Sequence, residues 1–253
     1  MRILVSNDDG IQARGIIALV QALLPFGEIT VVAPNTERSA ASHSLTLEHP
    51  LRAKTVAFPV PGVHRAYAVN GTPSDCVKLA LSSLVDEQPD LVATGINRGA
   101  NLAVDCFYSG TVAGAYEGLF RGLPSIAFSL ASYEELADLS AAQVWIRPVV
   151  EKILRSPDLN RTLFNVNFPA LPADQIKGIR ATRLGRVTYS DNYDRRSDPA
   201  GRPYFWLKGE LEVLDPDPET DIVTVRHGYI SVSPFRAELT DFDALKNTRK
   251  LFE

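Results

Sequence analysis

At 253 residues, with 45% hydrophobic and 22% charged side chains, the chain can bury a substantial core and has the composition of a globular protein. Its formal charge of -4 excludes the broad basic face that binding to a nucleic-acid backbone requires. Cys76 and Cys106 are its two cysteines, which argues against a disulfide scaffold and for a reducing compartment.

The N-terminus lacks the apolar run of a signal peptide, and no stretch is long enough to cross a membrane, so a cytoplasmic location is expected. Ile3-Leu4-Val5 predicts a buried strand that stops at Asn7-Asp8-Asp9-Gly10. Ile16, Leu19, Val20, Leu23 and Leu24 mark one face of a helix ended by Pro25 and Gly27. Ile29 to Ala33 reads as a second strand, stopped by Pro34. A polar loop from Asn35 to Thr46 follows and carries Arg38, Ser39 and His43.

Residues 51–69 read as β structure broken by Pro59, Pro61 and Gly62. Thr72, Pro73 and Asp75 form a capping box that starts a helix buried through Val77, Ala80, Leu81 and Leu84. Asp90 to Thr94 is a third parallel-type strand, and the Gly95 to Asn101 loop leaves its end. Ser109-Gly110-Thr111 opens a helix that runs through Val112, Ala115, Tyr116 and Leu119 to Gly122 and Pro124. Ser125 to Phe128 is a fourth strand. Ser132 and Glu135 are a second capping box, expected to open a long helix from Leu136 to Ile153 with a kink at Pro148. Leu163 to Phe168 is a fifth strand. Beyond Ile176, strand-like runs at 204–207 and 228–232 lie between turns, and helical spacing returns at Asp241 to Leu251.

The expected fold is α/β: a three-layer, Rossmann-like, mostly parallel sheet with helices on both faces. Residues 1–175 form the catalytic core. Residues 176–253 form a β-hairpin-rich extension with a C-terminal helix, an oligomerisation arm or a flap folded back on the core.

In a parallel sheet, ligands bind beyond the carboxyl ends of the strands. Three loops converge there. They offer Asp8 and Asp9, Ser39, and Asn97 with Asn101 close by, all hard oxygen donors suited to magnesium or manganese. Asp-Asp-Gly is also ordinary turn chemistry. The Ser109-Gly110-Thr111 helix start has free N–H groups and a positive dipole end, which suit a phosphate. It serves equally as an N-cap with a packing glycine. No Walker lysine and no Gly-x-Gly-x-x-Gly run is present, which argues against NTP or dinucleotide binding. A metal beside an anion cradle suggests phosphoryl chemistry, with Asp8 or Asp9 as proton acceptor. His43 offers an acid or a phosphate contact, against a structural role.

Ile3 to Gly10, Arg38-Ser39-Ala40, Asn70 to Val77, Gly95 to Asn101 and Tyr108 to Val112 together resemble the SurE family, the stationary-phase survival proteins. Gly228-Tyr229-Ile230-Ser231 is similar to that family's late strand motif. The resemblance implies a 5′-nucleotidase that needs one divalent cation per subunit, Mg2+ or Mn2+, ligated by Asp8, Asp9, Ser39 and Asn97. It implies that Ser109, Gly110, Thr111 and Asn101 hold the substrate phosphate. It also implies homodimers, and homotetramers in some members, built through C-terminal arms.

On this reading the substrates are nucleoside 5′-monophosphates, with 3′-monophosphates as a second class, and water activated by the metal attacks phosphorus. Attack by Asp8 itself is the competing mechanism. A receiver-like or nucleotide-binding regulatory module that binds metal without turnover is the rival function. It is disfavoured because receiver domains need an aspartate where Asn97 stands and a lysine near Phe168-Pro169-Ala170.

Overall fold

The computed structural model describes residues 1–190 and 192–252. In chain order the first half contains β1 (Arg2–Ser6), α1 (Arg14–Leu23), β2 (Glu28–Pro34), β3 (Ala53–Thr55), β4 (Arg65–Val69) and α2 (Pro73–Leu79). Then come β5 (Leu91–Arg98), α3 (Gly110–Leu119), β6 (Ser125–Leu130), α4 (Ser140–Ile153) and β7 (Leu163–Phe168). The last part holds β8 (Ile179–Ala181), β9 (Val187–Tyr189), β10 (Asn192–Ser197), β11 (Pro203–Lys208) and β12 (Leu211–Val213). It ends with α5 (Asp221–Arg226), β13 (Ile230–Phe235) and α6 (Phe242–Arg249).

Nine strands form one sheet in the order β3-β4-β2-β1-β5-β6-β7-β13-β8. The six strands from β4 to β7 run parallel. Strands buried on both faces explain the continuous apolar runs: β6 is buried at every residue and β1 at four of five. One core gathers α1 and α4 against the sheet through Ile16, Leu19, Leu23, Ile146 and Val150. The other face is covered by α2, through Cys76 and Val77, and by α3, through Val112 and Ala115.

The sheet grows outward from β1 in both directions. The chain passes from β1 to β2 and β4 on one side, then returns to β5 on the other. The switch point lies between β1 and β5, where loops leave for opposite faces and open a crevice. Asp8 and Asp9 follow β1, and Asn97 is the penultimate residue of β5.

Several expectations need correction. The strand expected to stop at Thr94 continues to Arg98, with its pairing to β6 shifted between Thr94 and Asn97. The Ser132–Glu135 pair caps no helix. Ser132 Oγ accepts from the amide of Glu134 in a local turn, and α4 starts only at Ser140, with Asp138 accepting from its amide and hydroxyl. Leu136 is 79% exposed, so the stripe that seemed to extend the helix backward covers no core. Pro148 does lie inside α4. The capping box at Thr72 and Asp75 is present, with both reciprocal bonds formed.

The change of character at 176 is real, but it is not the edge of the sheet. Two antiparallel pairs, β10–β11 and β9–β12, do form. In contrast β13 pairs antiparallel with β7, and β8 joins it as the edge strand. The six-residue α5 is too short to show helical spacing in sequence.

Candidate functional site

The two carboxylates after β1 have different surroundings. Asp8 is 4% exposed. Thr111 donates to it twice, from its amide to Oδ2 at 3.2 Å and from its hydroxyl to Oδ1 at 2.5 Å. The first turn of α3 is therefore directed at Asp8, as the positive end of a helix favours. Gly110 permits this approach: a Cβ there would lie 3.0 Å from Asp8 Cβ and 3.1 Å from its Oδ2. Asp9 is more open and accepts from the Arg98 amide at 3.1 Å.

Burial pushes the Asp8 carboxyl above its ordinary range, and the bonds from Thr111 offset only part of this. Asp9 is pushed up to about 6 by burial and then by the charge of Asp8. The Arg98 guanidinium pairs with Glu37 at 3.1 Å instead of with either aspartate. Among the described residues, the carboxylate pair thus has no opposite charge in contact.

Loop two is brought alongside by its backbone. The Arg38 amide donates to Asp8 O at 2.7 Å, and Gly10, at φ +99°, backs onto Thr36 and Glu37. Ser39 is exposed, and its hydroxyl donates to Glu37 Oε1 at 2.6 Å. Asn97 donates its amide hydrogen to Gly99 O at 2.8 Å, so its carbonyl oxygen is left over as a donor atom for a cation. Asp9, Glu37 and Asn97 share the wall of a cavity of about 280 Å³ between the start of α1 and the 132–139 segment.

An oxygen-only set of two carboxylates, a serine and an asparagine fits a hard divalent cation. Two adjacent carboxylates, one buried and one half-buried, with no cationic partner in contact among the described residues fit it as well. Among the described residues, no group of three or more His, Cys, Asp or Glu side chains comes together.

The proposed anion contacts separate into two groups. The Ser109 hydroxyl accepts from the Val112 amide as N-cap. Its own hydrogen and the Gly110 amide have no partner among the described residues, and both suit a phosphate oxygen. Thr111 is already committed to Asp8. Asn101 is buried in a polar knot at the ends of β6 and β7. Its side chain donates to Ser129, its backbone amide donates to Asn167, and its carbonyl accepts from Asn165, Asn167 and Cys106.

Sequence reasoning missed Glu37, whose negative charge lies close enough to raise both aspartates. Its place two residues before Ser39, in a loop at the same sheet edge, was the available signal. It also missed the support from the C-terminal part. Asp221, buried at 0% exposure, accepts from the Ala103 amide at 2.8 Å. The Tyr189 hydroxyl donates to Asp105, 2.8 Å from both carboxylate oxygens. Both contacts hold the loop that follows Asn97. Neither cysteine is activated: each is buried, and burial pushes its thiol up.

The family model described as "Survival protein SurE" matches residues 3–191. The 5′-nucleotidase SurE of Moorella thermoacetica is 50% identical over 242 residues, covering 96% of this chain and 92% of that protein. The protein of the same name from Heliobacterium modesticaldum is 46% identical, covering 97% and 90%. The crystal structure of the SurE protein from Aquifex aeolicus superposes with a TM-score of 0.86 at 37% identity, over the full length of both chains. The family model, the sequence identity over nearly the whole chain and the structural superposition agree, and the chain belongs to the SurE family.

Proposed function

We propose that this chain is a divalent-metal-dependent 5′-nucleotidase, a phosphoric monoester hydrolase that converts nucleoside 5′-monophosphates, and secondarily 3′-monophosphates, to nucleoside and phosphate. The observation that carries the metal dependence is the pair of adjacent carboxylates at the switch point, Asp8 buried against the first turn of a helix and Asp9 half-buried beside it, with no cationic side chain in contact among the described residues. The names of its full-length relatives support the reaction.

Asp8, Asp9, Ser39 and Asn97 would hold one Mg2+ or Mn2+. Such an ion, when bound, polarises phosphoryl oxygens and acidifies water. Ser109 and the Gly110 amide bind phosphate oxygens at the helix start. Thr111 orients Asp8 by its two bonds. Asp9, on the open side, accepts a proton. The 280 Å³ cavity beside Asp9 and Asn97 gives the nucleoside room outside the carboxylate crevice. A homodimer, or a tetramer of such pairs, is part of this reading. Tyr193, Phe205, Trp206 and Leu207 on the exposed β10–β11 hairpin support it as an apolar surface that a partner subunit covers.

Phosphate release from a panel of nucleoside monophosphates, with Mn2+ or Mg2+ and with EDTA, tests the proposal. Turnover is expected only with metal, and highest on 5′-monophosphates. Metal binding without turnover would favour a regulatory module, and equal rates in EDTA would refute the metal dependence.

A pH dependence follows from Asp9. Its carboxyl in the metal-free fold titrates near 6, against an ordinary 3.8. A protonated carboxyl does not ligate, so Mn2+ affinity is expected to fall as pH drops through 6, by about tenfold per unit for each carboxyl that takes up a proton. Between these two values the folded chain binds more protons than the unfolded one. The metal-free protein therefore loses stability as pH rises through this window. Calorimetric titration with Mn2+ from pH 5 to 7 checks the first effect, and an affinity independent of pH counts against Asp9 as a ligand.

A further inference from the structure

Glu117 is a buried carboxylate that takes no part in the chemistry above. Glu117 lies on α3, 4% exposed, two turns beyond the end that meets Asp8. His43 Nε2 is 2.9 Å from its Oε1, and Lys78 Nζ on α2 is 3.3 Å from its Oε2. The His43 ring also stacks on Phe120, with centroids 5.5 Å apart and planes at 4°.

His43 closes the segment that carries Ser39. On the near side of Ser39, the Arg38 amide is tied to Asp8 O. On the far side the backbone turns through Ala40 at φ 54° and Ser42 at φ 51°. Residues with a Cβ adopt this left-handed conformation only when their surroundings hold them there. Ser42 is fastened to the residues preceding α3: its amide donates to Tyr108 O at 3.0 Å and its hydroxyl to Phe107 O at 2.7 Å. His43 is the next residue, and its bond reaches the body of α3 itself.

We propose that His43 is a positioning residue, and that its hydrogen bond to Glu117 latches the Ser39 segment onto α3, the helix whose first turn meets Asp8. One helix then sets the register of both sides of the site. Its start holds Asp8 and faces the phosphate, and its middle holds the loop that presents Ser39. The importance of Ser39 rests on the proposed metal reading, whereas the latch itself rests on the contacts of His43.

The test compares the full-length wild type with His43→Ala, His43→Gln and Glu117→Met. Two readouts are used: amide hydrogen exchange across residues 39–46 in metal-free protein, and Mn2+ affinity by calorimetry. His43→Ala is expected to exchange faster across 39–46 with the rest of the protein unchanged, and to bind Mn2+ about tenfold more weakly, as loss of a residue supporting a ligand typically does. Glu117→Met removes the same bond from the other partner and should reproduce both effects, which covers the case in which one variant folds poorly. Gln at position 43 retains a donor for Glu117 and should restore most of the protection. Wild-type exchange across 39–46 in both His43→Ala and Glu117→Met overturns the latch, as does Mn2+ affinity within about twofold of wild type. Failure of the wild type to bind Mn2+ would count against the metal reading instead, and the exchange comparison would still decide the latch.

Discussion

Replacing Asp8 by Asn is expected to lower phosphate release roughly a thousandfold, the upper end of what one preorganised electrostatic contact supplies, while the fold survives. Asp8 is the carboxylate most enclosed by the site, and both its oxygens accept from Thr111. Asparagine can keep that geometry. Its carbonyl accepts from the Thr111 amide, and its NH2 donates to the Thr111 hydroxyl, which turns to accept. What is lost is the negative charge. Burial disfavours that charge in the metal-free chain, so the variant should melt at the wild-type temperature or slightly above it. Steady-state kinetics with saturating Mn2+, together with a thermal melt, give the two numbers. A variant that is fully folded and retains more than about a tenth of the activity would sink the assignment of Asp8.

Gly15→Ala should cost about 3 kcal/mol of stability, at the high end for overpacking. A Cβ at this position would lie 1.9 Å from Ile96 O and 3.0 Å from Ile96 C, so it meets fixed backbone. The helix α1 must then move off β5. In a chain of this size the melting temperature should drop by roughly 6–12 °C. The collision is one residue from Asn97, so Mn2+ affinity should fall as well. Differential scanning calorimetry checks the first effect and metal titration the second. A melting temperature within about 2 °C of wild type would show that α1 and β5 are not this closely packed.

The parallel half of the fold was legible because strands buried on both faces appear as apolar runs, and Ile3-Leu4-Val5 could be little else. The four proposed ligands rest on a related pattern. Each lies at or just past the carboxyl end of such a run, so the topology assigns them to one edge before any contact is known. Glu37 was not legible, because a glutamate in a polar loop looks solvated until its neighbours are placed. The late start of α4 was hidden by an exposed leucine, Leu136, that happened to fall in phase with the helix. The place of β13 was hidden because pairing with β7 depends on partners 60 or more residues away, which no local pattern records.

The contact between Asp221 and the Ala103 amide sets an order of events during synthesis. The ribosome makes the loop after Asn97 early, and domains generally begin to fold from the N-terminal side as the chain emerges. The carboxylate that fastens this loop arrives 118 residues later, together with α5. The sheet can therefore take shape while the loop after Asn97 is still unfastened. A nascent chain that already looks folded along β1 to β7 is still waiting for α5 to fasten the loop that follows Asn97.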